Sequence, residues 1–128
     1  MSDPRATLEL ELAADPALLA TARLFATAAA RAGGCDDDVV EDVRLAVSEA
    51  CARSMRGASD GERISVQAHV SLAGVAFVVE GPTGTIGDDD IDGLDLVATL
   101  FPEATSRADR LRTSVRFDAR AGSPSLSG

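Results

Sequence analysis

The stretch from Asp38 to Gly57 constrains the fold more than any other part of the sequence, because apolar and small residues recur along it at helical spacing. These residues are Val39, Val40, Val43, Ala46, Val47, Ala50, Cys51, Ser54 and Met55. The pattern predicts a long helix with a broad buried stripe, and such a helix needs a second apolar layer to cover it. Asp38 and Glu41 also predict a capping box at the start of this helix.

Alternation of apolar and polar residues predicts the strands that form this second layer. The first strand is expected over residues 6–13, where leucines alternate with polar residues. A hairpin is expected from the segments 64–70 and 75–79, and a last strand from 109–118. The residues that this last strand should point toward the core are Leu111, Thr113, Val115 and Phe117. The strands present a single apolar face, so helices are expected to cover only one side of the sheet.

Two more helices complete the predicted architecture. Asp15 predicts the cap of a helix that ends at Gly33, and a short helix is expected at about 93–101. Residues 81–92 are too rich in Gly, Pro and Asp for regular structure, so they predict a long loop. The resulting order is strand, helix, helix, strand, strand, loop, helix, strand. It predicts an α+β two-layer sandwich with a mixed, mostly antiparallel sheet covered on one face by helices.

The sequence predicts one domain at residues 1–118 and a disordered tail at 119–128, which is rich in Gly, Ser and Pro. The formal charge of -9 disfavours binding to nucleic acid or to anionic membranes and favours a partner with basic patches. The chain contains neither a leader-like segment at its start nor an apolar run long enough to span a bilayer, which predicts a soluble cytoplasmic protein.

Several individual residues have a simple structural interpretation. Cys35 and Cys51 have neither metal-knuckle nor redox-pair spacing, so both are predicted to be reduced thiols, with Cys51 a small core residue. His69 is predicted to be an ordinary surface histidine, because no second histidine or neighbouring cysteine completes a ligand set. The arginines of the last strand form either a solvated face or part of a docking surface for an acidic partner; they are Arg110, Arg112 and Arg116.

The segment from Arg44 to Cys51 reads R-L-A-V-S-E-A-C and resembles the first nucleotide-binding box of the anti-sigma factor serine kinases, L-A-V-[SD]-E-A-C-x-N. That family belongs to the Bergerat-fold superfamily of histidine-kinase-like ATPases, and the resemblance covers about residues 6–118. It implies that Glu49 is the catalytic base if the protein is an active kinase. In the family, the asparagine four residues after this glutamate holds Mg²⁺. Arg53 stands there, a guanidinium has no lone pair for a metal, and the chain contains no asparagine.

The other nucleotide-binding segments resemble the family only in part. The second family box, D-x-G-x-G, corresponds here to E-G-P-T-G, so Glu80 and Gly84 remain as its degenerate counterparts. Gly93 opens a segment that matches the apolar helix following the family's lid. The preceding residues 88–92 place four carboxylates where the family cradles phosphates with backbone amides. The resemblance therefore implies a degenerate nucleotide pocket at Arg53, Glu80, Gly84 and Gly93, with no metal ligand and no cofactor unless the binding of ATP and Mg²⁺ is retained.

Three functions fit this resemblance. The first is an anti-sigma regulatory factor that sequesters an alternative sigma factor under the control of a STAS-type anti-anti-sigma protein, in a partner-switching stress response. A homodimer is compatible with this role. The alternative is an active serine kinase that phosphorylates its antagonist, for which residues 88–90 would have to supply the metal ligands. The third is a sensor that binds another small ligand in the remodelled pocket.

The spacing of Glu49 and Arg53 leaves two interpretations open. Residues four apart lie on the same side of a helix, so the two side chains can form an ion pair that occupies the former metal site. They can equally be two separately solvated side chains on the exposed side of the helix.

Overall fold

The computed structural model describes residues 5–83 and 92–122, with side chains in the second range from Asp95 onward. Its elements, in chain order, are β1 Ala6–Ala13, α1 Leu19–Ala32, α2 Asp37–Arg56, β2 Arg63–Ser71, β3 Gly74–Pro82, α3 Asp92–Leu100, β4 Thr105–Ala108 and β5 Arg112–Arg120. A short 3-10 turn at Pro16–Leu18 leads into α1, and Asp15 caps this turn by accepting the N–H of Ala17 at 2.9 Å. The cap at Asp15 and the predicted boundaries of the first strand are therefore confirmed.

The five strands form one sheet in the order β1-β2-β3-β5-β4. Every pairing between neighbouring described strands is antiparallel, so the prediction of a mixed sheet was wrong in that detail. The helices lie against one face, which confirms the α+β two-layer architecture. The order places β3 in the centre, and its last residues lead into the segment that contains the second predicted nucleotide box.

The core lies between the central strands and the helices. Phe77 of β3 stacks on Phe117 of β5 with ring centroids 5.3 Å apart, and Phe101 also stacks on Phe117, at 4.6 Å. On α2, the residues predicted to form the stripe are buried from Val40 to Met55, with Val39 partly buried. The apolar stripe of α2 therefore packs on the apolar face of the sheet, as its pattern predicts.

The first residues of the predicted last strand, 109–111, form a turn that follows an additional strand, β4, and Leu111 was wrongly placed in the core. The Oδ1 atom of Asp109 accepts the backbone N–H groups of Leu111 and Arg112, each at 2.8 Å, and so closes a turn between β4 and β5. These bonds favour the carboxylate and lower the pKa of Asp109. Leu111 lies in this turn and is 78% exposed, whereas Thr113 and Phe117 are buried as predicted.

The predicted capping box at the start of α2 was also wrong. The helix begins one residue earlier than the predicted cap, and its N-cap residue is Asp36. Glu41 does not reach back to the helix start; its Oε2 pairs with Nη2 of Arg44 at 2.7 Å. A run of three aspartates offers several possible caps, so the sequence could not specify which of them begins the helix.

Two chain segments extend further than the sequence indicated. Strand β3 continues through Gly81 and Pro82, which were expected to open the long loop. Strand β5 continues through Arg120, and Ala119 is buried in it, although a tail was expected from Ala119. Residues 123–128 of that predicted tail lie outside the described part of the chain. Within the described part, none of the helices combines the length and hydropathy needed to cross a bilayer.

The two cysteines are buried free thiols, and burial raises the pKa of Cys51 from 9.0 to about 12. Below pH 9 both the folded and the unfolded chain keep this thiol protonated, so it contributes no pH dependence. Above pH 9 the unfolded chain loses the proton first, and the free energy of unfolding should fall as the pH rises from 9 toward 12. The chain has neither Lys nor Tyr, so few other side chains titrate in this range.

Urea denaturation at pH 8 and at pH 10.5 measures this effect. We expect the midpoint to fall between the two pH values in a Cys35→Ala protein and to change much less when Cys51→Ala is added. Equal falls in both proteins would show that Cys51 is not the group responsible.

Candidate functional site

The side of α2 that faces α3 carries the residues of the first predicted nucleotide box. Val39 and Asp42 line a cavity together with Leu100 and Phe101 at the end of α3. Glu49 and Arg53 lie on the same side of α2, because seven and eleven residues after Asp42 correspond to about two and three helical turns. Both side chains therefore lie on the side of α2 that faces α3.

Glu49 and Arg53 are each half-buried, and the Nη1 atom of Arg53 is buried completely. Among the described residues, no ion pair within 4.0 Å joins these two side chains. Neither open interpretation is therefore sufficient: the guanidinium is not simply solvated, and it does not reach back to Glu49. One nitrogen of the Arg53 guanidinium, Nη1, is instead buried within the protein.

Gly81 brings the end of β3 into direct contact with α2. A Cβ atom at this position would lie 2.8 Å from Ser54 Cβ and 3.3 Å from Ile64 Cγ1. The buried Ser54 directly follows Arg53 in the sequence. Its contact with Gly81 therefore sets the distance between α2 and the sheet next to the predicted metal position. Gly81 occupies a variable position of the family box, so its neighbours in the sequence do not indicate that the fold requires a glycine there.

We expect Gly81→Ala to lower the free energy of unfolding by about 1–3 kcal/mol, because the added methyl group overpacks the contact between β3 and α2. Ser54→Gly removes the two atoms that would lie nearest to the methyl group, at a cost of about 1 kcal/mol for glycine within a helix. In the Ser54→Gly background, Gly81→Ala should therefore cost much less. Urea denaturation of the four proteins measures this coupling, and additive costs would contradict the proposed contact.

A threonine pair ties the end of β3 to the start of β5. Thr113 is 3% exposed, and its Oγ1 lies 2.9 Å from Oγ1 of Thr83. Thr83 Oγ1 donates to the carbonyl oxygen of Asp109 at 2.8 Å, which leaves Thr113 as the donor of the hydrogen bond between the two threonines. The backbone N–H of Thr83 also donates to Leu111 O at 3.0 Å. These bonds fix the point at which the chain leaves the sheet, one residue before Gly84.

Glu80 lies on the opposite face of the sheet from Glu49 and Arg53. It is located between Val79 and Gly81, both buried beneath the helices, so strand alternation turns its side chain to the outer face. There its Oε1 accepts a hydrogen bond from Nε of Arg112 at 3.1 Å. The structure therefore does not bring Glu80 together with the two residues of α2. Gly84 lies outside the described residues, and Gly93 lies in the first turn of α3.

The outer face of the sheet also contains His69 and Arg116, whereas Arg110 lies in the turn between β4 and β5. His69 Nδ1 lies 3.3 Å from Oγ1 of Thr7, and Arg116 pairs with Asp118 at 3.7 Å. No group of three or more His, Cys, Asp or Glu residues that could hold a metal occurs within residues 5–83 and 92–122. The carboxylates at 88–90, which an active kinase would need as metal ligands, fall outside these ranges. A buried guanidinium nitrogen of Arg53 lies at the predicted metal position, and it has no lone pair to offer a metal. The described residues at this position therefore do not fit a bound Mg²⁺.

Comparison with known proteins identifies the same region of the chain. The sequence model of a family described as "Histidine kinase-like ATPase domain" matches residues 12–118. This match begins at the end of β1 and continues into β5, so it includes α2, β3 and α3. A search of curated proteins finds no match.

Proposed function

The chain belongs to the histidine kinase-like ATPase family, and we propose that it is a regulatory member that has weakened or lost ATP binding. In this proposal the protein is an anti-sigma factor that sequesters an alternative sigma factor in the cytoplasm. A STAS-type anti-anti-sigma protein competes for it and so releases the sigma factor. The sequence of α2 from Arg44 to Cys51 supports the assignment to the anti-sigma branch of the family.

The observation that carries the proposal is Arg53 on the α3-facing side of α2, four residues after Glu49. A Mg²⁺ ion needs oxygen ligands there, and a guanidinium offers only donors. Near a protein surface, the guanidinium would repel each unit of positive charge on the ion by about 4 kcal/mol if the two charges were about 4 Å apart. Because phosphoryl transfer depends on the metal for positioning and charge neutralisation, this replacement favours binding over catalysis.

One observation favours the second candidate, an active serine kinase. Glu49 is retained and half-buried on the same side of α2, where a catalytic base would be needed. Transfer of radiolabel from ATP to a serine of the anti-anti-sigma protein, abolished by Glu49→Ala, would establish this activity. We expect no transfer with Mg²⁺ or Mn²⁺.

The regulatory role is tested by mixing the purified protein with the sigma factors and STAS-type proteins of its native organism, with and without nucleotide. We expect a stoichiometric complex with one sigma factor in the absence of ATP, and its dissociation when the matching anti-anti-sigma protein is added. Absence of any complex with a sigma factor would contradict the proposed function. A complex that forms only with Mg-ATP would contradict the loss of nucleotide dependence.

A further inference from the structure

The exposed face of α1 carries no charged side chain for most of its length. Its exposed residues before Arg31 are Ala20, Thr21, Leu24 and Ala28. A surface helix normally presents charged or polar residues on the side opposite the core. Leu24 is 71% exposed, although the residues two before and two after it, Ala22 and Ala26, are completely buried. It therefore points directly away from the core.

Leu45 has the same position on α2. It is 44% exposed and lies between Val43 and Val47, which are both completely buried. The two helices pack against each other, and Arg23 Nη1 of α1 donates to Ser48 Oγ of α2 at 3.1 Å across their seam. Leu24 and Leu45 are each within three residues of this bond, so they flank the outer side of the contact between the two helices, which we call the α1–α2 seam.

The α1–α2 seam ends in an apolar pocket. A cavity of about 260 Å³ is lined by Pro16, Leu19, Ala52, Met55 and Arg56. Ala52 is seven residues after Leu45, which places it two turns further along the same side of α2. One end of the seam therefore carries a pocket large enough for an aliphatic or aromatic anchor side chain.

The other end of the seam is acidic. Asp36, Asp37 and Asp38 are all exposed at the N-terminus of α2, and only Asp37 takes part in an ion pair of the described residues, with Arg31 at 3.1 Å. An occupant that complements the whole seam therefore needs an apolar stripe and positive charge near one end. A short amphipathic helix satisfies both requirements, because side chains at i, i+4 and i+7 span the distance from Leu45 to Ala52.

We propose that the α1–α2 seam docks an amphipathic helix of a partner protein, with one apolar anchor in the pocket and basic residues opposite Asp36 and Asp38. The inference rests on the proposed regulatory function and names the surface that captures the partner. It does not involve Arg53 or nucleotide, so it can fail or succeed separately.

The probe is a synthetic 18-residue helix with leucines at i, i+4, i+7 and i+11 and three arginines at one end. A twin peptide carries glutamates in place of the arginines. Titration into ¹⁵N-labelled protein measures both affinity and location. We expect the basic peptide to bind at least tenfold more tightly than its twin and to shift the resonances of Leu24, Leu45 and Ala52. Equal affinities, or shifts confined to another surface, would overturn the proposal.

Paired variants provide the control. Leu24→Glu with Leu45→Glu should weaken peptide binding at least tenfold. Leu72→Glu with Leu111→Glu should leave it unchanged, because these leucines are 76% and 78% exposed but lie in turns away from the seam. All four side chains are exposed, so circular dichroism should show an unchanged fold. Equal losses in the two double variants would overturn the proposal.

Other occupants predict different outcomes. If Leu24→Glu with Leu45→Glu turns a dimer into a monomer in analytical ultracentrifugation, the seam is an interface between two copies and the proposal is wrong. Loss of binding to phosphatidylcholine vesicles in the same variant would identify a membrane instead. If a sigma factor binds this variant as tightly as the wild type, the seam is not the capture surface although the proposed function stands. If the basic peptide binds but no sigma factor does, the proposed function fails and the docking surface stands.

Discussion

Replacing Phe117 with alanine is expected to lower the free energy of unfolding by about 3–5 kcal/mol. Its ring is almost completely buried and stacks on both Phe77 and Phe101. The substitution would remove both aromatic contacts and leave a cavity between β5, β3 and the end of α3. Since domains of this size have a total stability of about 5–15 kcal/mol, the variant should lie close to its unfolding threshold.

Urea denaturation followed by circular dichroism measures this loss. Leu111→Ala is the matched control: it removes a large apolar side chain from the turn just before the same strand, at a position that is 78% exposed. We expect the control to change stability by less than about 0.5 kcal/mol. A loss below about 1.5 kcal/mol for Phe117→Ala would contradict the central position that the structure gives this ring.

Gly74→Ala is expected to produce a comparable loss, also about 3–5 kcal/mol, for a different reason. Gly74 has φ +136°, a conformation that side chains rarely adopt, which alone costs on the order of 1–3 kcal/mol. A Cβ atom here would also lie 2.8 Å from Ala121 N and 2.9 Å from Arg120 Cα, and closer still to Ala119 O. All of these are backbone atoms of the chain at the end of β5, so the clash cannot be relieved by rotating a side chain.

Gly61→Ala separates the two contributions. Gly61 has φ +85°, but nothing lies within 4 Å of a Cβ atom at this position. It should therefore lose about 1 kcal/mol from backbone strain alone, and thermal and urea denaturation of both variants should show the larger loss for Gly74→Ala. Similar losses for the two variants would contradict the close approach of the β2–β3 turn to β5.

Much of the fold could be predicted because local patterns and long-range packing agree. The alternating leucines of β1 and the broad stripe of α2 each predict an element with one apolar side. Leu12 of β1 and the stripe of α2 are buried in the same core, although Leu8 is 37% exposed. The last strand was mispredicted because the turn at Asp109 depends on its side chain accepting two backbone N–H groups, whereas Leu111 fits the alternating pattern by chance. Strand order and strand direction depend on contacts between distant segments, which alternation within each strand does not specify.

The candidate site could be predicted only where its residues lie on one element. The spacing of Glu49 and Arg53 was enough to place both on one side of α2, and the structure confirms that arrangement. The outward orientation of Glu80 follows from alternation along β3, but alignment with the family box obscured it. The contact between Gly81 and Ser54 joins two elements, so no pattern within either segment could have shown it.

We propose that Arg53 replaces a metal ligand and thereby turns an ATPase scaffold into a binding protein. Isothermal titration calorimetry of the purified protein with ATP, in the presence and absence of Mg²⁺, tests this claim most directly. We predict a dissociation constant no tighter than millimolar with Mg²⁺. A micromolar affinity that depends on Mg²⁺ would contradict it.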